Sequence, residues 1–207
     1  AAEVAGLVVT MQPPVTPELE RVAWTVMGHA QFDLAHYAEA ESAYVRLRGL
    51  AADPAAGREV EGRIAASIYR QAELAQAGGD VDAAVADFLR IDAAAPDADI
   101  RPSALFDAAT LLLTSQRWNE SVDLLQRFRR EFPEHQFNSE VTAKLAVALR
   151  EGGRGAEAAA EYERIAGSAD AAADVQRSAL WQAAELYVAA DQHDGEHGPL
   201  GTDQLDH

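Results

Sequence analysis

An all-α solenoid of antiparallel helix pairs is the fold class this sequence predicts, and three observations predict it. Residues 105–133, LFDAATLLLTSQRWNESVDLLQRFRREFP, read as two helices joined by a short turn: Leu105, Ala108, Ala109 and Leu112 share one face, and Ser121, Leu125 and Phe128 share another. The pattern recurs on both sides, with small second-helix residues Ala40, Ala84, Ser121 and Ala158 spaced 44, 37 and 37 apart. Glycine and proline punctuate it, Gly78-Gly79 and Gly152-Gly153 ending helices and Pro96 and Pro133 closing pairs. One such pair cannot bury its apolar face alone, so the pairs must stack.

Residues 1–16 read as an extended leader, because GLVVTM suits a short strand and the prolines of QPPVTP oppose regular structure. Thr16 followed by Pro17 is an N-cap with proline at the first helical position, and Glu18 and Glu20 suit the positive end of a helix dipole. Helices are expected over 17–35 and 38–52, with Trp24, Met27, Gly28, Ala40, Tyr44 and Leu47 interlocking. After Pro54 the stretch AAGRE reads as a bridge into a helix carrying Ile64, Ile68, Ala72 and Ala75. A helix over 82–94 then brings Ala84, Phe88 and Ile91 together before Pro96.

The central pair follows, with Trp118 just after its turn. The next pair uses Val141, Leu145, Ala148 and Leu149, then Ala158, Tyr162 and Ile165 up to Gly167. A ninth helix over 171–190 carries Leu180, Ala183, Ala184 and Tyr187 on one side. Residues 191–207 are polar and aperiodic and read as a flexible tail. The repeat domain is therefore expected over 17–190, as about four helix pairs plus one helix.

Composition narrows function. The 207 residues include 34 acidic against 17 basic, a formal charge of −17, which repels nucleic-acid phosphates and favours a protein or peptide partner of basic character. Cysteine is absent, which excludes disulfides, thiolate metal sites and cysteine nucleophiles. No apolar run is long enough to span a bilayer. There is no GxGxxG after a strand, no GxxxxGK, no HExxH and no GxSxG, so no catalytic residue, cofactor or enzymatic activity is expected. His29, Asp33 and His36 fall on adjacent turns, but no further ligand is implied and no metal site is expected. His193 and His197 lie four apart in a stretch that does not suit a helix, and support adventitious metal binding at most.

The half-repeat marks resemble the tetratricopeptide repeat (TPR), a helix–turn–helix unit of about 34 residues. In AWTVMGHAQFDLAHYAEAESAY, Trp24, Met27 and Gly28 stand at first-helix positions, and Tyr37, Ala40 and Tyr44 at turn and second-helix positions. The later units match through Ile68, Ala72, Gly79, Ala84 and Phe88, then Leu105, Ala108, Trp118, Leu125 and Phe128, then Leu145, Leu149, Gly153, Ala158 and Tyr162, with Ser121 replacing the usual alanine. The extra length is assigned to loop insertions, most plainly near Gly57 and Arg58.

The resemblance implies a right-handed TPR-like α-solenoid that binds a protein or peptide on a concave face lined by the first helices. Carrying those positions over selects His29, Phe32 and Asp33, Tyr69 and Arg70, Phe106 and Asp107, Lys144 and Arg150, and Trp181 and Gln182 as peptide-binding candidates. Aromatic members would anchor the ligand and charged ones orient it. Trp24, Trp118, Tyr44, Phe88 and Tyr162 are expected to be packing residues. The long repeats also resemble those of bacterial envelope proteins, implying a periplasmic or envelope-associated location, with the cytoplasm as alternative. A homo-oligomeric structural or assembly module, made through the exposed ends or faces of the array, is the alternative function. The ninth helix has no partner helix after it, and its apolar face needs a cover from a longer chain, a partner or a self-contact; a longer array is the expectation and a terminal capping helix the alternative.

Overall fold

A computed structural model describes residues 1–12, 15–169 and 171–196. Among these residues there are ten helices and no strand, and the chain divides into two compact units. The first, Ala1–Ser115, holds α1 (Ala2–Val9), α2 (Pro17–Asp33), α3 (Tyr37–Arg48), α4 (Pro54–Ala77), α5 (Val81–Ala94) and α6 (Arg101–Thr114). The second, Gln116–His207, holds α7 (Trp118–Glu131), α8 (Asn138–Glu151), α9 (Gly155–Ala166) and α10 (Ala173–Glu196). The helices form antiparallel pairs of the TPR-like kind, α2 with α3, α4 with α5 and α8 with α9.

Local chemistry sets the helix starts. The Thr16 hydroxyl accepts the Leu19 N–H at 3.4 Å ahead of Pro17. Asp53 accepts the N–H groups of Ala55 and Ala56, both at 2.9 Å, with Pro54 at the first helical position. AAGRE is therefore helix and not a bridge. The long first spacing of the repeat is accommodated by a 24-residue α4 and not by a loop insertion at Gly57 and Arg58.

The turn between the two helices of each repeat carries one residue in the left-handed region: Ala35 (φ 60°), Gly79 (80°), Gln116 (61°) and Gly153 (77°). Each stands five residues before the small second-helix residue, so backbone and side-chain registers agree through all four repeats. At three turns the next amide closes back by five residues, His36 to Gln31 O, Asp80 to Ala75 O and Arg154 to Leu149 O, which caps the preceding helix. Glycine adopts this conformation freely, whereas Ala35 and Gln116 carry a Cβ into it. Ala35→Gly and Gln116→Gly are each expected to stabilise their unit by about 0.5–1 kcal/mol. Denaturant unfolding checks this, and a loss in both would contradict the capping role.

The small residues pack as the spacing requires: Ala40, Ala84, Ser121 and Ala158 are all 0% exposed. Tyr44, Phe88, Phe128 and Tyr162 are buried one turn or two further on. Trp24 and Trp118, expected in the core, are only part-buried. Trp118 is the first residue of α7, and Trp24 turns its Nε1–H to Glu20 at 3.3 Å. Second helices are also tied by ion pairs that span tens of residues. Arg90 of α5 donates to both carboxylate oxygens of Glu41 in α3 (2.6 and 3.0 Å), and Arg129 of α7 does the same to the buried Glu161 of α9 (2.8 and 2.9 Å).

Both ends of the chain depart from expectation. Residues 2–9, read as part of an extended leader, form α1, which packs on α2 through Ala5 and through Gly6 beside Met27. The ninth expected helix, now α10, continues to Glu196, so residues 191–196 of the expected tail are helical. The remainder of that tail, including His197, lies outside the described residues.

Candidate functional site

The first-helix candidates of unit 1 come from α2, α4 and α6. His29 is exposed on α2, with its ring 5.9 Å from that of Tyr44, and Asp33 is exposed one turn on. Phe32 is part-buried, edge-on to Tyr37 at 5.1 Å. Tyr69 of α4 and Asp107 of α6 are brought together, the phenol donating a short hydrogen bond to the carboxylate. Burial first, then that bond, pushes the Tyr69 hydroxyl far above the ordinary tyrosine range, so it stays a donor. Arg70 is exposed and paired with Glu73 at 2.6 Å.

Phe106, expected on the concave face, is buried instead. It is 8% exposed, in a helix where Ala104, Leu105, Ala108, Ala109, Leu111 and Leu112 are buried as well. A helix apolar almost all round has no free face for an aromatic anchor.

In unit 2, Arg150 of α8 bonds the Tyr162 hydroxyl at 3.0 Å and Gln182 of α10 at 3.1 Å, joining two candidates. Lys144 is part-buried beside Glu140 at 3.3 Å. Trp181 is 68% exposed, but about 100° round α10 from Gln182, so it does not extend the Arg150–Gln182 surface.

The groove with the most open recognition chemistry in unit 1 lies between α2 and α4, with α3 as its floor. Val22 and Val26 of α2 line it with 56% and 38% exposure, and His29, Tyr44, Leu47 and Val60 complete its apolar part. Arg21 of α2 and Arg63 of α4 stand on its walls, with Glu59 one turn before Arg63 on α4; the open hollow measures about 300 Å³. Neither arginine makes an ion pair with another described residue, whereas Arg70, Arg90, Arg101, Arg117, Arg127, Arg129 and Arg154 all do. Of its lining, sequence reasoning selected His29 as a binding candidate. It missed Glu59, because the helix was expected to begin after AAGRE, and it did not select Arg63, which that expected helix already contained. The Asp53-Pro54 cap is the signal that places Glu59 on the helix.

Among the described residues no group of three or more His, Asp or Glu is arranged to hold a metal ion. No helix among them is long and apolar enough to cross a membrane.

These features, four turns of one backbone form and buried small residues in register with them, are those of a TPR-like repeat. Residues 103–135 match the tetratricopeptide repeat family. That segment runs from Ser103, inside α6, through α7 to His135, and contains the stretch from which the repeat was read. No curated protein matches the chain. Among solved structures, it is similar to a protein of Podosopora anserina described as a kinesin light chain with nearly identical TPR-like repeats. The two share 16% identity over 89% of this chain and 92% of that one, at a TM-score of 0.43, a likeness too slight to carry an argument about function.

Proposed function

We propose that the chain is a binding scaffold that holds a peptide or protein segment in the α2–α4 groove of unit 1. The observation that carries this reading is the coincidence, in one groove, of exposed Val22 and Val26 with two arginines that have no ion-pair partner among the described residues. Exposed branched side chains gain from being covered, at about 25 cal/mol per Å² removed from water. A guanidinium at the edge of such a patch selects a carboxylate and fixes orientation. The ligand is then a segment with an apolar residue beside an acidic one. The net charge of −17 still steers approach toward partners that are basic elsewhere, since long-range attraction and the contact at one groove are separate terms. A place in the bacterial envelope remains part of this proposal, resting on the long repeats alone.

Selection of a random peptide library on the purified chain tests the reading. Enriched peptides are expected to pair a branched or aromatic residue with Asp or Glu. Val26→Asp, at an exposed position that leaves the core untouched, is expected to weaken them about tenfold or more, as loss of a central apolar contact does. Unchanged affinity in Val26→Asp would move the site elsewhere.

A further inference from the structure

α10 buries one side and leaves the other uncovered. Ala179, Ala183 and Leu186 pack with Ala146 of α8 and Ala159 and Tyr162 of α9. At about 100° per residue the opposite side carries Leu180, Trp181, Ala184 and Val188. Leu180, Trp181 and Val188 are 55%, 68% and 58% exposed. Sequence reading put Leu180 and Ala184 on the same side as Ala183; the structure separates them, and Ala179, Ala183 and Leu186 pack against the α8–α9 cluster while the Tyr187 hydroxyl donates to Glu163 of α9 at 3.2 Å.

The uncovered side has a shape as well as a hydropathy. Trp181, Ala184, Glu185 and Val188 stand at i, i+3, i+4 and i+7, the corners of the hole that receives a knob from a facing helix. They line an open hollow of about 400 Å³ above the small Ala184 side chain. A helix is therefore the ligand shape that fits, in place of an extended segment.

Charge decides which helix. Arg177 lies one turn before Trp181 and Glu185 one turn after, on the same ridge, and neither forms an ion pair with another described residue. A uniformly basic helix would meet Arg177 with like charge, and a uniformly acidic one would meet Glu185. A copy of α10 laid antiparallel about a twofold axis at Trp181 brings Arg177 of each chain opposite Glu185 of the other, and does so twice. We propose that this side of α10 is a homodimer seam whose occupant is α10 of a second copy. It is separate from the α2–α4 groove, which lies in the other unit and is read by a different assay.

Sedimentation velocity of the full chain, from low micromolar upward at physiological ionic strength, tests the seam; repulsion between two chains of charge −17 is then screened beyond about 8 Å. The mass is expected to rise from 22.2 kDa toward twice that value. Trp181→Ala removes no buried contact and should keep the helical circular dichroism while raising the dimer dissociation constant at least about tenfold. Arg177→Glu and Glu185→Arg should each weaken the dimer, and the two combined in one chain should restore it, because the pairs re-form with signs reversed. A chain that stays at 22.2 kDa at the highest concentration overturns the proposal. So does a dimer indifferent to Trp181→Ala, which would use another surface. A double swap no better than either single one would overturn the antiparallel pairing.

Discussion

Phe128→Ala is expected to cost unit 2 about 3–5 kcal/mol, the range for removing a fully enclosed phenylalanine. Phe128 is 0% exposed, and its ring lies 5.3 Å from Phe132, 5.4 Å from His135 and 6.5 Å from Phe137. The connection from α7 to α8 is folded round this one side chain. Asn138 fixes the same connection by donating to the carbonyls of Phe132 (2.7 Å), Pro133 (2.8 Å) and His135 (3.0 Å). Without the Phe128 ring the connection loses its centre while its backbone bonds keep it from collapsing into the cavity. Denaturant unfolding with hydrogen exchange read at α7 and α8 measures the loss. A cost below about 1 kcal/mol would mean that the cluster repacks freely. Trp118, whose burial the repeat match implies, is part-buried and should matter less than Phe128.

Gly28→Ala is expected to destabilise unit 1 by about 1–3 kcal/mol, although alanine is the better helix former by about 1 kcal/mol. A Cβ at Gly28 would lie 2.8 Å from Cδ1 and Cζ of Tyr44 and closer still to Cε1. The Tyr44 ring is 1% exposed and has the His29 ring 5.9 Å away, so making room for the Cβ means shifting a packed ring. Burial pushes the Tyr44 hydroxyl above the usual tyrosine range, and no charge forms there at neutral pH. Gly62, inside α4, supplies the control: a Cβ there meets nothing within 4 Å. Gly62→Ala should stabilise by up to about 1 kcal/mol through helix propensity alone. Opposite signs for two glycine-to-alanine changes in helix interiors are the expected outcome in thermal melts of the two variants. Stabilisation by both would remove the close contact between α2 and α3.

The helix pairs were legible in the sequence because each carries its period, its small packing residue and its terminator within about forty residues. What was not legible depends on longer range or on neighbours. α1 has Gly6 and a run of β-branched valines that favour a strand by local preference, and packing against α2 overrides it. The start of α4 was masked by Gly57, although Asp53 and Pro54 announce it. Phe106 was placed on the open face by register. Burial on nearly every side of α6 is a tertiary fact that one helix's pattern reports only as excess apolarity. The Glu41–Arg90 and Glu161–Arg129 pairs join residues 49 and 32 apart, and in a chain so rich in carboxylates no spacing singles them out. Of the candidate site residues, His29 belongs to the α2–α4 groove. Tyr69 and Asp107 are spent on each other, and Trp181 faces out from α10.

Methyl-resolved NMR of the chain titrated with a selected peptide tests the groove most directly, because valine and leucine methyls report both units at once. Binding between α2 and α4 predicts shifts concentrated at Val22, Val26, Leu47 and Val60, with Val175 and Val188 of α10 unmoved. Shifts at Val175 and Val188 with the four groove residues silent would contradict it.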